Sequence, residues 1–579
     1  MRVYFGRAVA NRNLTTLKTL LLSVVIGLFF GLVMAIVSNL FVSGVRWLTS
    51  LRNAYNPMEI SFAGLSLPTT HFIGLFLAAA LILLVRRVFN ISRWHGPADS
   101  IYAAHRTDNE LDTKAGFGST LAAFINASGG ASVGQYGPLV HFGATMGSMI
   151  RQFVDNRFST DIFIGCGVAG AIAAGFNAPI AGVVFAHEAI LRHFSLRAIA
   201  PITISSIAAV GFSRSVFGDE HALLTAFSEV DIIELLPAAL ISGPVFGIAA
   251  ICLMITVRRI AGFAASSGWQ PWQLIFGAAL FTSILGMFVP GALGLGTQEM
   301  MAMINTGYAF NALVVLLVGK IILTAICLGM GLYGGIFSPA LFVGAATGGI
   351  IAKILQTIGM LSLSASSSAG LVICGMAAVA ATVIGAPISG VLIILEMTMS
   401  YEFAVAAMLS VVTAALVGQY LFGHSFFDRQ LLDRGIDISQ GRGHLEMMEA
   451  PVSAIVNPDF LRLNEETTAG TALKKLISDK KTEAYVTTTG NILVGKLNIH
   501  DLINADKNDQ AASFADPAPR SIKHDASLQQ AMEIASDFVG EAIPIIDREN
   551  NRLLGVVTEA DLFDHYLSLQ NKVIDLEKV

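Results

Sequence analysis

The sequence predicts an all-α polytopic membrane domain with broken helices, followed by a C-terminal α+β domain. Only 13% of the 579 residues are charged, about half the share found in soluble domains. The charges are also uneven, because 41 of them lie after residue 427 and only 36 lie in the first three quarters of the chain. This composition excludes an ordinary soluble enzyme and a disordered chain.

Long stretches without charge account for the membrane domain. A spanning helix needs about 20 apolar residues. Long stretches without Asp, Glu, Lys or Arg include 19–45, 60–85, 115–150, 162–187, 235–257, 261–298, 321–352, 354–395 and 403–427. Glycines inside these stretches allow helices to pack closely and to break where the backbone lines a cavity. We therefore expect more than ten membrane segments within residues 1–435, and a separate, normally charged domain over residues 436–579.

A duplication within the membrane domain predicts two related halves. The segments that begin at Pro179 and Pro387, 208 residues apart, both read Pro-Ile-small-Gly and both carry a Glu nine residues after the Pro, at Glu188 and Glu396. The matched Pro, Gly and Glu make a chance similarity between two apolar helices a poor explanation. A duplication of this size is typical of transporters built from two repeats.

A second duplication organises the C-terminal domain. Residues 495–502 match residues 555–562, and each segment follows a short apolar strand and precedes a helical pattern. We expect two βαββα-like units of about 60 residues, over about 450–506 and 515–570. From residue 428 onward the chain has 16 basic and 25 acidic residues, which excludes a nucleic-acid partner.

Two Gly-rich loops run directly into helices of the membrane domain. The loops are residues 129–141 and 331–339, which contain Pro138 and Pro339. Pro suits the first turn of a helix, so each loop should end at a helix N-terminus whose free backbone N–H groups point into the loop. Two such termini buried in one membrane domain would form an anion site without cationic side chains.

These motifs resemble those of the CLC family of chloride channels and chloride/proton antiporters, over about residues 20–427. The matching segments are residues 134–138, 177–188, 335–339 and 385–396. The C-terminal domain resembles the paired CBS module that many CLC proteins carry. The resemblance implies transport rather than enzymatic catalysis, by a homodimer in the lipid bilayer. It also implies one pathway for chloride or another small anion in each subunit, and inverted repeats whose helix ends meet near the bilayer midplane.

The sequence departs from the family pattern at the residues that handle protons. The first family loop usually reads Gly-Arg-Glu-Gly-Pro, and its Glu is the outer gate and proton acceptor; here Gln135 and Tyr136 occupy those positions. A phenol has a reference pKa near 10, so Tyr136 as a gate would block sterically or donate a hydrogen bond without carrying protons near neutral pH. The alternative is a Tyr136 that packs away from the pore.

The second proton-handling position of family antiporters, an inner Glu, falls on Ala189. The preceding residue, Glu188, matches a different family Glu and is expected to be a structural acid that holds helix ends. His187 is a candidate proton carrier, with a packed or interfacial His as the alternative.

The side-chain hydroxyls that hold the central anion in the family are also missing. The family Ser falls on Trp94 or on His95, depending on one deletion, and the family Tyr falls on Phe427. The remaining anion-binding candidates lie in the two Gly-rich loops, at Gly134, Gln135, Gly137, Ile336 and Phe337. Chloride, bicarbonate, nitrate and fluoride all stay open as the transported anion.

The resemblance to CBS modules suggests an adenine-nucleotide cleft in the C-terminal domain. Thr558 and Asp561, and Asn498 and Asp501 in the first copy, match positions that usually contact phosphate and ribose. ATP, ADP or AMP is the candidate ligand, and a dimer strut without a ligand is the alternative. No cofactor is required for anion conduction. The four cysteines lie in apolar runs without metal-ligand spacing, so we expect them to be packing residues.

The absence of both proton-handling glutamates favours a passive anion channel or an uncoupled anion transporter. The alternatives are a proton-coupled exchanger with relocated proton carriers, a divalent-cation transporter and a membrane-anchored nucleotide sensor. A cation transporter would need carboxylates along the pathway, and the charge-free runs supply almost none. Basic residues before the first run predict a cytoplasmic N-terminus, with the CBS pair on the same side of a bacterial inner membrane.

Overall fold

The structure is a computed structural model that describes residues 2–54, 59–62, 65–68, 70–106, 108–154, 160–194, 196–218, 232–305, 307–359 and 365–578. The side chains of residues 2–19, with the basic residues that predict the orientation, lie outside the described part. The chain divides into two compact units. One contains Met1–Ala104 and Asp108–Gly435, and the other contains Ile436–Val579 together with His105–Thr107.

The first unit is helical apart from one short antiparallel hairpin, β1 (Glu59–Phe62) and β2 (Leu65–Pro68). Its helices are α1 (Arg2–Ala54), α2 (Thr70–Val88), α3 (Pro97–His105), α4 (Thr113–Gly129), α5 (Tyr136–Arg151), α6 (Thr160–Phe176), α7 (Pro179–Phe185), α8 (Leu196–Phe217), α9 (Ile232–Ser266), α10 (Pro271–Phe288), α11 (Thr297–Asn305), α12 (Phe310–Met330), α13 (Phe337–Ile358), α14 (Ala365–Ile384), α15 (Pro387–Thr398), α16 (Tyr401–Leu421) and α17 (Phe426–Leu432). A π-helical segment, Ala186–Leu191, continues α7.

Nine helices in the described part of the chain are long and apolar enough to cross a membrane: α1, α2, α8, α9, α10, α12, α13, α14 and α16. Three shorter apolar segments, Thr160–Phe176, Pro179–Leu191 and Pro387–Thr398, accompany them. The expected count of more than ten segments is therefore reached only with these short helices, because several charge-free runs fold as two half-length pieces. The prediction of a polytopic domain with broken helices is confirmed.

The helices break at the two duplicated Pro segments. Asn177 and Gly385 adopt positive φ angles of 57° and 78°, which end α6 and α14. Pro179 and Pro387 then start α7 and α15 at the first helical position, where the missing N–H of Pro removes no hydrogen bond. The same residue pattern thus produces the same break in both halves.

The two halves also share their closest helix crossings, α5 with α6 and α13 with α14. A Cβ added to Gly167 would lie 2.0 Å from the carbonyl oxygen of Gly143, and one added to Gly375 would lie 2.2 Å from that of Gly344. Only glycine allows backbones to approach this closely. The equivalent crossings show that the duplication in the sequence is a duplication in the fold.

The second unit contains two copies of the expected βαββα arrangement, preceded by α18 (Gly441–Glu449). The first copy is β3 (Leu461–Asn464), α19 (Ala469–Ser478), β4 (Glu483–Thr487), β5 (Leu493–Asn498) and α20 (Ile499–Leu502). The second is β6 (Ile522–Lys523), α21 (Leu528–Ser536), β7 (Ile543–Ile546), β8 (Leu553–Val557) and α22 (Glu559–Lys578). In each copy the first two strands are parallel and the last two antiparallel, and each copy has its own apolar core.

Candidate anion pathway

The two Gly-rich loops pair with each other through their backbones. Gly134 and Gly335 exchange two N–H···O=C hydrogen bonds, of 2.6 and 2.7 Å. The contact leaves no room for a side chain, because a Cβ on Gly134 would lie 2.8 Å from the Gly335 oxygen. A Cβ on Gly137 would lie 3.3 Å from the Gly335 Cα. As a result, α5 and α13, one from each repeat, begin side by side.

The N-termini of α5 and α13 have no side-chain cap. The first N–H groups of a helix have no acceptor within the helix. Those at the start of α5 and α13 therefore face the paired loops without a side chain that accepts their hydrogen bonds. Side chains occupy the N-termini of two other short helices, α3 and α17. Asp99 accepts the N–H of Gly96 before α3 at 2.9 Å, and Asp428 hydrogen-bonds the Ser425 hydroxyl at the start of α17.

Glu188 and Glu396, the two duplicated acids, each cap the N-terminus of a short helix in the opposite repeat. The Glu188 carboxylate accepts the N–H groups of Ile388 and Ser389 at 2.9 and 2.7 Å, and the Ser389 hydroxyl at 2.6 Å, at the start of α15. The Glu396 carboxylate accepts the N–H groups of Ile180 and Ala181 at 3.0 and 2.8 Å, at the start of α7. Both oxygens of each carboxylate are therefore engaged, as the structural interpretation of Glu188 requires.

Tyr136, the candidate gate, is the first residue of α5 and is buried among aromatic rings. Its ring stacks on Phe176 with centroids 3.7 Å apart and meets Phe337 edge-on at 5.8 Å. Gly175 leaves the space that the Tyr136 ring occupies, since a Cβ there would lie 3.1 Å from two ring carbons. The stack joins the start of α5, the end of α6 and the start of α13. Phe176 was not singled out in the sequence, because its proximity to Tyr136 appears only in the folded chain.

A cavity of about 780 Å³ extends from the paired loops, with Gly137, Gly335, Ile336 and Phe427 in its wall. Its charged lining residues are four arginines and two aspartates: Arg93, Arg258, Arg259, Arg434, Asp99 and Asp433. The two aspartates are already paired with arginines, at 2.7 Å in each case. The excess of positive charge makes the cavity attractive to anions.

Trp94 and His95, the two alternatives for the family Ser, occupy different surroundings. Trp94 lines the cavity, and its indole N–H donates to the Gly331 carbonyl at 3.0 Å. The imidazole of His95 is not part of the cavity wall and lies 6.2 Å, centroid to centroid, from the ring of His141. The arrangement therefore brings Trp94 and Phe427 into the same cavity and leaves the His95 side chain behind the loop.

Tyr333 is a cavity residue that the sequence did not single out. It lies in the second Gly-rich loop, its hydroxyl donates to the His95 carbonyl, and its ring packs against Trp94 at 5.8 Å with a 31° tilt. The signal was present in the loop, where an aromatic residue with a hydroxyl interrupts a run of glycines. Its partners are more than 200 residues away, so the sequence could not place it.

His187 lies on the π-helical segment that carries Glu188. One ring nitrogen donates to the His193 carbonyl at 2.9 Å, and the ring stacks on Phe194 at 5.0 Å. The side chain is thus packed, and its Nε2 atom has no hydrogen-bond partner. Ala189, at the inner Glu position, is buried and carries no titratable group.

The four candidate nucleotide residues of the second unit cap helices within their own copies. The Asp561 carboxylate accepts the N–H and the hydroxyl of Thr558 at 3.0 and 2.7 Å. Asn498 and Asp501 form the corresponding capping box at the start of α20. These contacts give both pairs a structural role and leave nucleotide binding as a proposal.

The duplicated half-helices and their paired N-termini define the first unit as a membrane transport domain of the inverted-repeat class, and the chain as an integral, multi-pass membrane protein. The chain belongs to the voltage gated chloride channel family, whose model matches residues 74–419. A CBS domain model matches residues 511–568, so the chain is a CLC protein with a C-terminal CBS pair. Members of this family are channels and transporters rather than enzymes.

Named relatives agree with this assignment. The chain is 27% identical over 355 residues to a protein named "Voltage-gated ClC-type chloride channel ClcB" from Escherichia coli O81 (strain ED1a), covering 61% of this chain and 84% of the relative. The fold resembles a slow cyanobacterial Cl−/H+ antiporter (TM-score 0.61, 21% identity, 72% of this chain and 98% of that one). It also resembles a eukaryotic CLC transporter (TM-score 0.58, 18% identity, 95% and 98%) and a CLC-type fluoride/proton antiporter (TM-score 0.54, 20% identity, 71% and 97%).

Proposed function

We propose that this protein is an anion channel or uncoupled anion transporter that conducts chloride or another small anion without moving protons. The observation that carries the proposal is the pair of uncapped helix N-termini at α5 and α13, held together by the Gly134–Gly335 hydrogen bonds. Each N-terminus is equivalent to about half a positive charge. Carboxylates accept backbone N–H groups at the starts of α3, α7 and α15, and the Ser425 hydroxyl caps α17. We therefore expect the anion pathway to pass the paired, uncapped starts of α5 and α13.

The surrounding charges support an anion rather than a cation as the transported ion. The cavity beside the two termini has an excess of two positive charges in its wall. In low-dielectric surroundings such an excess raises the local concentration of anions and repels cations. A divalent-cation transporter would need free carboxylates instead, and Asp99 and Asp433 are both held by arginines.

The proposal that protons are not transported depends on three residues. Tyr136 replaces the family's gating Glu with a phenol, which stays neutral near pH 7. Ala189 replaces the inner Glu. Glu188, the carboxylate next to Ala189 in the sequence, accepts two N–H groups and a hydroxyl, so both of its oxygens already hold the start of α15. We infer that Tyr136 acts as a steric gate, with Phe176 and Phe337 as its contacts in the closed arrangement.

The test is a flux assay on purified protein in liposomes, with chloride and proton gradients set independently. We expect chloride flux whose reversal potential follows the chloride gradient and ignores the pH gradient. A reversal potential that shifts with pH at fixed chloride would instead favour the proton-coupled exchanger. Tyr136→Ala should raise the flux and Tyr136→Glu should make it pH-dependent. Tyr420→Ala, at a side chain that is 89% exposed, is the control, and equal flux in all three variants would remove Tyr136 from gating.

We also propose a homodimer with one pathway per subunit, in a bacterial inner membrane with the N-terminus and the CBS pair in the cytoplasm. Thr558, Asp561, Asn498 and Asp501 would then meet cytoplasmic ATP, ADP or AMP. Chemical cross-linking in membranes tests the dimer, and labelling of cysteines introduced at the two chain ends tests the orientation. Binding of radiolabelled ATP to the full chain, abolished by Asp561→Ala, would support a nucleotide site, and no binding at millimolar ATP would favour a strut.

A further inference from the structure

A single charged side chain is buried in the middle of α12. Lys320 is the only charged residue between Glu299 and Lys353 in the sequence, and its side chain is completely buried. Charged residues inside membrane segments are costly and mark functional positions. We propose that Lys320 is a positioning residue for anion conduction, which holds the first Gly-rich loop and the α5 N-terminus in place. The inference rests on the proposed anion conduction and adds a residue on which it depends.

The first step is that the Lys320 ammonium group binds backbone carbonyls and an aromatic ring. It donates to the carbonyls of Ala292 and Gly294, at 3.1 and 2.8 Å. Both carbonyls belong to residues 290–296, which connect α10 to α11 and are called here the α10–α11 segment. The ammonium nitrogen also lies 5.0 Å from the centre of the Phe342 ring on α13, a favourable contact for a cation. Lys320 therefore joins the α10–α11 segment to α13.

The second step is that the α10–α11 segment is bonded to the first Gly-rich loop. The Gly294 N–H donates to the Gly130 carbonyl at 3.0 Å. The Ser132 hydroxyl donates to the Ala292 carbonyl at 2.9 Å, and it lies 3.1 Å from the hydroxyl of Thr324, one turn after Lys320 on α12. The Ala292 carbonyl thus accepts hydrogen bonds from both Lys320 and Ser132.

The third step leads from these bonds to the anion pathway. Ser132 lies two residues before Gly134, whose backbone pairs with Gly335, and four residues before Tyr136, where α5 begins. Without the ammonium group, the Gly294 carbonyl would lose its donor, and a buried acceptor without a donor is costly. The α10–α11 segment would then move and take the first Gly-rich loop with it. The N–H groups at the start of α5 would no longer meet those of α13 in the same place.

The experiment measures initial rates of chloride efflux from liposomes that contain the full-length protein, over a series of internal chloride concentrations. Lys320→Met removes the ammonium group and should raise the half-saturating chloride concentration by about tenfold, the effect of one hydrogen bond to a charged group. Ser132→Ala breaks the bond to the loop, leaves the charge in place and should change the same quantity in the same direction. Lys353→Met, at an exposed lysine of α13, should leave it unchanged.

The double variant separates positioning from the effect of the charge alone. Lys320 and Ser132 act through the same Ala292 carbonyl, so the double variant should raise the half-saturating concentration by less than the product of the two single effects. Lys320→Arg keeps the charge and the donors and should restore most of the parent value. Independent, fully multiplicative effects would overturn the positioning role, because a charge acting alone does not require Ser132.

Denaturation midpoints of the same Lys320 and Ser132 variants in mild detergent show whether the role is merely structural. A purely structural lysine would lower the midpoint and the fraction of active protein without changing the half-saturating chloride concentration, and that result in a monodisperse Lys320→Met protein would overturn the inference. If Lys320→Met aggregates, Ser132→Ala is judged by the same concentration. A complete lack of anion flux in the unmodified protein would instead overturn the proposed function.

Discussion

Gly134→Ala tests whether the backbone pairing of the two Gly-rich loops holds the anion pathway together. The new Cβ would lie 2.8 Å from the Gly335 oxygen and 2.9 Å from the Ser338 hydroxyl oxygen, closer than real Cβ contacts. The loops must therefore separate, which weakens the two hydrogen bonds of 2.6 and 2.7 Å. Each such bond contributes about 1 kcal/mol, and the overpacking costs about 1–3 kcal/mol more. Because φ at Gly134 is not positive, no backbone strain is added, and we expect a loss of about 3–5 kcal/mol of unfolding free energy.

Two matched glycines turn this prediction into a graded series. A Cβ on Gly335 would contact its neighbours at 3.1–3.2 Å, and one on Gly211, in α8, would meet nothing within 4 Å. The order of destabilisation should therefore be Gly134→Ala, then Gly335→Ala, then Gly211→Ala, with the last neutral or slightly stabilising because Ala favours helices. Denaturation of the purified variants in mild detergent gives the stabilities, and liposome flux gives the effect on transport. A Gly134→Ala protein as stable and as active as Gly211→Ala would refute the reasoning.

Three further predictions concern carboxylates. Glu188→Gln and Glu396→Gln should each lower the unfolding free energy of the membrane domain by about 1.5–3 kcal/mol, because each variant weakens charged hydrogen bonds to two N–H groups; denaturation midpoints equal to the parent would contradict this. Glu483 and Lys496 form a buried ion pair at 2.8 Å, so Glu483→Gln or Lys496→Met alone should destabilise the C-terminal domain by about 3–5 kcal/mol. Proteolysis of the full chain measures this loss, and a double apolar replacement should recover much of it. The pKa of Asp525 is lowered by a hydrogen bond from its arginine partner, so Asp525→Asn should cost stability above pH of about 4 and lose its effect as the pH falls through that lowered pKa.

Local patterns in the sequence were enough to predict most of the fold. The charge-free runs predict the membrane domain because lipid excludes charge, and the matched segments at Pro179 and Pro387 predict two repeats because Pro and a preceding positive-φ residue break a helix wherever they occur. The number of spanning helices was harder to predict from the sequence, because a long run of apolar residues does not show where one helix ends and the next begins. The same local reasoning finds the βαββα copies around Asp501 and Asp561.

The sequence predicts residues of the candidate site only where they belong to one continuous segment. The helix N-termini after the two Gly-rich loops follow from Gly and Pro spacing, but their pairing through Gly134 and Gly335 joins residues 201 positions apart. The same limit applies to Tyr333, whose hydroxyl meets a carbonyl of the loop before α3, and to Phe176, which stacks on the candidate gate. The different surroundings of Trp94 and His95 likewise come from packing that the sequence does not show, since Trp94 hydrogen-bonds the Gly331 carbonyl and the His95 ring lies beside that of His141.

The reciprocal capping by Glu188 and Glu396 has a consequence for how the protein is made. The acceptor for the start of α7 lies more than 200 residues further along the chain, so the first repeat emerges from the ribosome with exposed N–H groups. At about 5–20 residues per second, translation of the intervening segment takes about 10–40 s. During that interval the N–H groups at the start of α7 lack the Glu396 carboxylate. Water, lipid headgroups or an insertase must accept their hydrogen bonds instead. Completion of the second repeat therefore supplies the hydrogen-bond partners for both helix ends, at α7 and at α15, in one late step of assembly.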